Sequence, residues 1–407
     1  MSSHDRTYDV AVVGLGPSGL VAALALAHVG ADVLAVGPSP MSAPSHGRET
    51  RTAALLASSV DLLKALGIWE VLEPQAAPLE AIRIIDASNS LIRAPDIAFA
   101  ASELGLSTFG YNIANTALAD ALFERAKQVL STLVTANVDR VAIGEDNAVL
   151  DLNDGTQLSA RLMAGADGRN SICRKEAGIG VSERRYDQAA IATSFSHTRP
   201  HENVSTELHR EGGSVTTVPL PEPLASSLIW VGSIVEIRAL TQLDDDRFGD
   251  ALAERLDGVL GTVSNVGARA EFPVAGLIAD NLAAKRTVLV GEAAHILPPI
   301  GAQGLNLGFR DAACLADCVA EALREGRDPG GEAVLEAYRQ SRRLDVTTRA
   351  YAVDLLSRTL LTSLAPLQAA RGLVLHGLKA LPPLRRAVMR VGLEPPTALP
   401  SLMRPLA

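Results

Sequence analysis

Three glycine-rich clusters carry the residue types and spacing that permit chemistry. The first, Gly14-Leu15-Gly16-Pro17-Ser18-Gly19, directly follows an apolar run and opens a helical pattern of small residues. There Gly14 permits a tight turn, Gly16 lets the backbone approach a pyrophosphate, and Gly19 allows close packing of helix on strand. The helix N-terminus offers free N–H groups to the phosphates. A coincidental turn is the alternative, and the strand–turn–helix context favours a dinucleotide. The second cluster is Gly165-Ala166-Asp167-Gly168-Arg169-Asn170-Ser171, followed by Arg174. Its plain reading is a polar turn that caps a helix through Asp167 or Ser171. The third is Gly291-Glu292-Ala293-Ala294-His295, followed by Pro298-Pro299-Ile300-Gly301-Ala302-Gln303-Gly304-Leu305-Asn306. Glycines this dense before a helix let a flat ring approach the backbone, where free N–H groups stabilise negative charge.

Elements must hold these clusters together. Tyr8 to Val13 reads as a strand, Ser18 to Val29 as a helix and Asp32 to Val36 as a second strand, giving a βαβ unit. The acid expected about 20 residues beyond the first glycine, to hold ribose hydroxyls, is replaced by Gly37. Ile82 to Asp86 and Leu91 to Arg93 flank Ser88-Asn89-Ser90 as a hairpin, and Asn115 to Leu130 is helical. Short β-type runs alternate between Ala189 and Pro273, Thr287 to Gly291 is a buried strand, and the chain is mostly helical after Leu305. The expected fold is α/β plus α+β: a Rossmann-like nucleotide-binding domain interrupted by an antiparallel β-sheet substrate domain, with a helical C-terminus. The expected boundaries are 1–75, 101–180 and 275–340 for the first, 76–100 and 181–274 for the second, and 341–407 for the third.

Composition narrows the field. With 407 residues and 47% apolar content, the chain has length for two or three domains and is neither disordered nor a disulfide scaffold. A net charge of -9 argues against a nucleic-acid partner. Cys173, Cys314 and Cys318 lack ligand spacing, so free thiols and no metal site are expected. Val10 to Ala31 carries no charged residue, yet Gly14, Gly16, Pro17 and Gly19 interrupt it, and it reads as strand, turn and helix. From Arg339 onward, eleven Lys or Arg residues face three acids among leucine-rich stretches. Such a segment suits an anionic membrane surface, or else a helical subdomain packed on the core. A cytoplasmic protein, peripheral at the inner membrane, is the expectation.

Taken together, the three clusters make the chain similar to the group A flavoprotein monooxygenases, the p-hydroxybenzoate hydroxylase superfamily, and within it to the ubiquinone-biosynthesis hydroxylases. The resemblance covers nearly the whole chain. It includes Arg51-Thr52-Ala53-Ala54-Leu55, Leu66-Gly67-Ile68-Trp69, Gly110-Tyr111 and Arg310-Asp311-Ala312 besides the clusters. It implies FAD, with Gly14, Gly16, Ser18 and Gly19 at the pyrophosphate and Arg51 near the cofactor. Asp167 and Gly168 would serve FAD and a transient nicotinamide. Gly291 and Glu292 would lie at the ribityl chain, Glu292 replacing the family's Asp. Pro299 would flank the ring system, and the backbone of Gly301, Gln303, Gly304, Leu305 and Asn306 would lie near its pyrimidine edge. The order Gly301-Ala302-Gln303-Gly304 departs from the usual Ala-Gly-Gln-Gly. Absence of an acid at Gly37 predicts weakly held FAD, by about 1.5–3 kcal/mol if the lost hydrogen bonds are charge-assisted.

The resemblance further implies NADPH or NADH as electron donor, O₂ activated as a flavin C4a-hydroperoxide, and hydroxylation of a hydrophobic phenol. A polyprenylphenol of ubiquinone biosynthesis suits a chain with only 3% aromatic residues. Other readings are a different FAD oxidoreductase of this fold, acting on soluble aromatics or reducing a prenyl chain, and a non-catalytic subunit of a quinone-biosynthesis complex. No catalytic acid or base is assigned, because in this superfamily the flavin carries the hard step. His295 reads as a structural hydrogen-bonding residue, Cys314 and Cys318 as core, and Tyr111 and Trp230 as cavity lining or core.

Overall fold

The computed structural model describes residues 6–39, 51–87, 95–210, 212–299, 301–361, 375–393 and 397–405. The chain opens with β1 (Thr7–Val13), α1 (Pro17–His28) and β2 (Val33–Gly37). Pro17 sits in the first turn of α1, where its missing N–H costs nothing. There follow β3 (Thr52–Leu56), α2 (Ala57–Ala65), α3 (Trp69–Leu72), β4 (Ala77–Pro78), β5 (Ala81–Asp86), β6 (Ile97–Ala100), β7 (Gly110–Ala114) and α4 (Asn115–Val129). Next come β8 (Thr132–Thr135), β9 (Val138–Ile143), β10 (Ala148–Leu152), β11 (Gln157–Gly165) and the short α5 (Ile172–Glu176).

The first sheet runs β8–β2–β1–β11, and continues through β19 (Thr287–Leu289) to β18 (Ala283–Ala284). Its five central strands are parallel, and such strands read as continuous apolar runs because both faces are covered. Val10, Val12, Leu20, Leu24 and Leu289 lie in the core on one face, and Ala11, Leu34 and Met163 in the core on the other. The charge-free stretch Val10 to Ala31 is thus β1, turn and α1, as its glycines required. Among the described residues no helix is long and apolar enough to cross a membrane.

The second sheet is built from β12 (Val181–His197), β13 (Val204–Arg210), β14 (Gly213–Pro219), β15 (Ala225–Ser233) and β17 (Ala270–Ala279), and is antiparallel except where β13 meets β5. The short β16 (Val263–Ser264) pairs with β12, and β20 (His295–Ile296) extends the sheet beside β17. β17 therefore runs through residue 274, and the third glycine cluster is stitched to this sheet. β6 pairs with β5 as a hairpin partner but begins at Ile97; Ser88 to Arg93, where the turn and second strand were expected, lies outside the described residues. One face of the sheet packs Leu208, Val215, Leu228 and Trp230 against Phe248, Leu252 and Leu256 of α7 (Asp245–Leu256) and Ile237 of α6 (Ile234–Thr241). A small sheet of β3, β7 and β4 lies between the two large ones.

Toward the C-terminus the described residues include α8 (Gln303–Arg324), α9 (Glu332–Leu361), a helical stretch at 375–380 and α10 (Pro382–Leu393). The basic C-terminal segment does not turn all its charge outward. Arg342 is fully buried and Arg349 nearly so, and Arg339 pairs with Glu332 and Glu336. Arg339, Arg342 and Arg349 thus help hold the fold together, as does Arg385 through its pair with Glu103.

Candidate active site

The three clusters converge at the C-terminal ends of β1, β11 and β19, where open α/β sheets bind their ligands. Gly14 donates its N–H to Val36 O at 2.7 Å, Ala166 to Val13 O at 2.8 Å and Val290 to Gly165 O at 2.9 Å. Gly14 has φ +114°, and a β-carbon there would collide with Ala166 O. One on Gly19 would collide with Gly14 O, whereas Gly16 faces open space. The roles inferred from spacing are therefore legible in the backbone: two glycines permit close packing, and the third leaves room for a ligand. The Ser18 side chain is wedged between Gly291 and Gly308, joining α1 to the third cluster and α8.

Asp167 is a capping residue. Its Oδ2 accepts the N–H groups of Ile172 at 2.7 Å and Cys173 at 3.2 Å, and its Oδ1 accepts the Ser171 hydroxyl at 2.5 Å. Ser171 in turn accepts Arg174 N–H at 2.9 Å. The guanidinium of Arg174 donates to Arg169 O and, at 2.8 Å, to Ala293 O, which clamps the second cluster to the third. Gly168 at φ +76° borders open space. Burial pushes the Cys173 thiol well up, and the neighbouring Asp167 pushes it further.

The third cluster bends through Gly291, leaves Glu292 and Pro299 exposed, and enters α8 at Gln303. Ile300 lies outside the described residues. Ala302, the N-cap of α8, is held at φ +54°, a conformation that favours glycine. The departure from the usual loop order thus puts a β-carbon where the backbone least tolerates one. Gly301 and Gly304 are exposed, and Leu305 packs against the main core. The Asn306 side chain is fully engaged: Oδ1 accepts Leu56 N–H and the Ser59 hydroxyl, and Nδ2 donates to the carbonyls of Ala54 and Ala302. It ties β3 and α2 to the start of α8. Arg51 is exposed at the entry to β3, its carbonyl accepting Asn115 N–H at 3.0 Å.

Beneath this loop lies a buried ionic network. Asp311 Oδ2 accepts Gly291 N–H at 3.0 Å and His295 Nε2–H at 2.7 Å, and Oδ1 accepts Arg342 Nε–H at 2.7 Å. Asp345 accepts from Arg310 and Arg342 at 2.7 Å each and from Arg349 at 2.8 Å. Arg349 continues to Gln303 Oε1 at 2.5 Å, so the chain of charges ends on the loop itself. Burial alone would lift both carboxyls, but His295 and Arg342 hold Asp311 below the usual range, and Arg342 and Arg310 do the same for Asp345. His295 has the structural role expected of it. The network's other members were not anticipated as a unit. The signal was Arg342, Asp345 and Arg349 at spacings of three and four on one helix, a pattern that puts all three on one face.

The remaining wall is the second sheet. Ser227 accepts the Thr52 hydroxyl at 2.9 Å and, on the same face, Ile229 and Val231 alternate with the helix-facing Leu228 and Trp230. Register carries this face across Ala190 and Ala192 of β12 and Ser214, Thr216 and Val218 of β14. Ala190, Val231 and Val274 form its apolar centre with Ile229, Phe272 and Tyr186. Trp230 belongs to the opposite core, under Arg255, while Tyr111 packs edge-on against Trp69 with ring centroids 4.8 Å apart.

These residues fit a dinucleotide carrying a flat ring. Neither α1 nor α8 has a side-chain cap, so both N-termini keep donors for an anionic ligand, and open space adjoins Gly16 and Gly304. Fold and site together define a dinucleotide-binding oxidoreductase. The sequence pattern of the FAD binding domain family matches residues 7–352, and the chain belongs to that family. It is 32% identical over 404 residues to the ubiquinone hydroxylase UbiL of Rhodospirillum rubrum, covering 97% of this chain and 93% of that protein. The 3-demethoxyubiquinol 3-hydroxylase of Escherichia coli is 30% identical over 391 residues, covering 95% and 98%. Among solved structures, p-nitrophenol 4-monooxygenase PnpA from Pseudomonas putida superposes with a TM-score of 0.76 at 19% identity, covering 96% of this chain and 99% of that one, a likeness of fold. The protein is an FAD-dependent monooxygenase.

Proposed function

We propose that this protein hydroxylates the ring of a polyprenylphenol in ubiquinone biosynthesis, drawing electrons from NADPH or NADH and oxygen from O₂. The observation that carries the reading is the wall facing the cofactor loop. From Ala190 to Ser196 on β12, and along β14 and β15, no inward position holds a charge, and the centre is aliphatic. A soluble, ionised aromatic acid finds no counter-charge at those positions, Arg184 and Arg185 lying further along β12, whereas a prenylated ring finds apolar contact and the hydroxyls of Thr216 and Ser227. The relatives named above support the same substrate class.

Bound FAD supplies the oxygen-activating chemistry. The chain's own work is to hold and enclose it. The α1 N-terminus and Gly16 would receive the pyrophosphate, Gly291 and Glu292 the ribityl chain, and the N–H groups from Gly301 to Leu305 the ring edge. Asp167 and Gly168 would border the cofactor, with Pro299 beside the ring. The second sheet is the substrate-binding part and excludes water from the reacting face. The site of action is the cytoplasmic face of the inner membrane. Comparing product formation from prenylated and unprenylated phenols with the FAD-loaded protein tests the reading. A kcat/KM higher by tenfold or more for the prenylated ring is expected, and a preference for soluble aromatic acids would sink it.

A further inference from the structure

Where the small sheet meets the second sheet, one buried polar atom has no partner. Asn112 of β7 is 1% exposed, and its Nδ2 donates to Pro219 O at 2.8 Å and reaches Ser227 Oγ at 3.4 Å. A carbonyl can only accept, so that bond fixes which end of the amide is which. Oδ1 is therefore turned away from Pro219, and among the described residues it meets no donor. Leaving a buried amide oxygen unpaired costs stability, and native folds rarely keep one without a use. Register places Thr52, Ala54 and Ala114 on the same side of the small sheet as Asn112, and all three are partly open. On the face of the second sheet that Thr52 and Asn112 touch, Thr216, Val218 and Ile229 are partly open as well. The acceptor thus lies among small and aliphatic side chains that are not packed shut.

We infer that Asn112 Oδ1 accepts the ring hydroxyl of the phenolic substrate and so fixes which ring carbon faces the cofactor loop; this rests on the substrate class proposed above. An unpaired amide oxygen in such surroundings selects a ligand that brings one hydrogen-bond donor on an otherwise apolar body, which describes an alkylated phenol. An ionised carboxylate offers only acceptors and finds no donor at Oδ1. The position suits the task. Ala54, the ladder partner of Asn112, has its carbonyl held at 2.8 Å by Asn306 Nδ2, which also donates to Ala302 O at the head of α8. Asn112 thus stands one strand spacing, about 5 Å, from a residue tied to the cofactor loop. The bond from Nδ2 to Pro219 O holds the amide still, so the acceptor is aimed before any ligand arrives.

Titration of the FAD-loaded full chain with 2-geranylphenol and with its methyl ether, followed by flavin absorbance without nicotinamide, tests this with no turnover. The ether keeps the shape of the ligand and loses the donor. The parent should bind the phenol about tenfold or more tighter, because the ether leaves the acceptor buried and unpaired. N112L and N112V should bind the two ligands within about threefold of each other, with the phenol affinity the one that falls. The valine variant is included because a β-branched side chain suits a strand. S227A disturbs the same contacts but keeps the acceptor, and should retain the parent's preference. Melting temperature and flavin absorbance of the ligand-free variants establish that each is folded and loaded. A parent indifferent to the ether, or asparagine variants that keep the parent's preference, overturns the inference and leaves the substrate class standing. Loss of the preference in S227A overturns it too, assigning the ring hydroxyl to Ser227. Failure of both ligands to bind would sink the substrate class and this inference with it.

Discussion

At the residue scale, two side chains show where this protein tolerates cost and where it does not. Ala302 occupies a left-handed conformation at the start of α8, and an L side chain there is strained by about 1–2 kcal/mol. A302G is expected to raise stability by about 1 kcal/mol in denaturant titration, a gain unavailable at ordinary helix positions, where glycine destabilises. Asp345 is the opposite case. Three arginines converge on it away from water, and D345N would strip Arg310 of its carboxylate and leave Arg342 with Asp311 alone, at a cost of about 3–5 kcal/mol. The pH dependence follows from the same geometry. Asp311 and Asp345 titrate below the usual carboxylate value of 3.8 in the folded state. Their contribution is therefore fully present above that value and is lost as pH falls from it toward the depressed ones. Thermal melts should show a drop in stability below about pH 4 that D345N makes shallower. An unchanged acid limb would mean the network does not govern it.

At the element scale, the first βαβ unit was legible because its glycines do different jobs at fixed spacing. Gly16 faces open space where Gly14 and Gly19 face backbone, so substitutions there should separate binding from folding. G16A is expected to cost less than about 1 kcal/mol of stability. Its FAD affinity should fall roughly ten- to hundredfold, as charge-assisted contacts to the pyrophosphate are lost. G14A should instead impair folding itself, because neither its φ nor its neighbours admit a β-carbon. Equal loss of stability in both variants, by calorimetry of the FAD-free chain, would contradict this division. Legibility ended where partners come from distant elements. Asp167 and Ser171 were readable as caps since both ends of each bond lie within six residues. The clip made by Asn306 spans about 250 positions, and the partners of Arg342 include a residue 31 positions away. Hydrophobic periodicity carries no record of such pairings. The arginines of α9 accordingly read as surface charge until the fold buried them. Gly37 is the reverse case. The missing acid is obvious in the sequence, but only the fold reveals that a β-carbon there would come within 2.8 Å of Leu15 N.

At the scale of the whole molecule, the design is a parallel sheet that carries the glycine-rich turns, an antiparallel sheet that in the proposed function walls the substrate side, and C-terminal helices that pack against both. The buried network joins α8 and α9 directly beneath the cofactor loop, and Arg349 carries that connection to α10. Rigid support of this kind keeps the positioning groups in place, while the flavin supplies the reactivity. In the function proposed above, the aliphatic wall selects what is hydroxylated. The decisive experiment is incorporation of ¹⁸O from labelled O₂ into a prenylphenol by the FAD-loaded protein with NADPH or NADH. One labelled oxygen on the ring of the product, dependent on the nicotinamide, is the predicted result. Consumption of the nicotinamide with no label in the ring, whether the substrate is reduced or left intact, would contradict it.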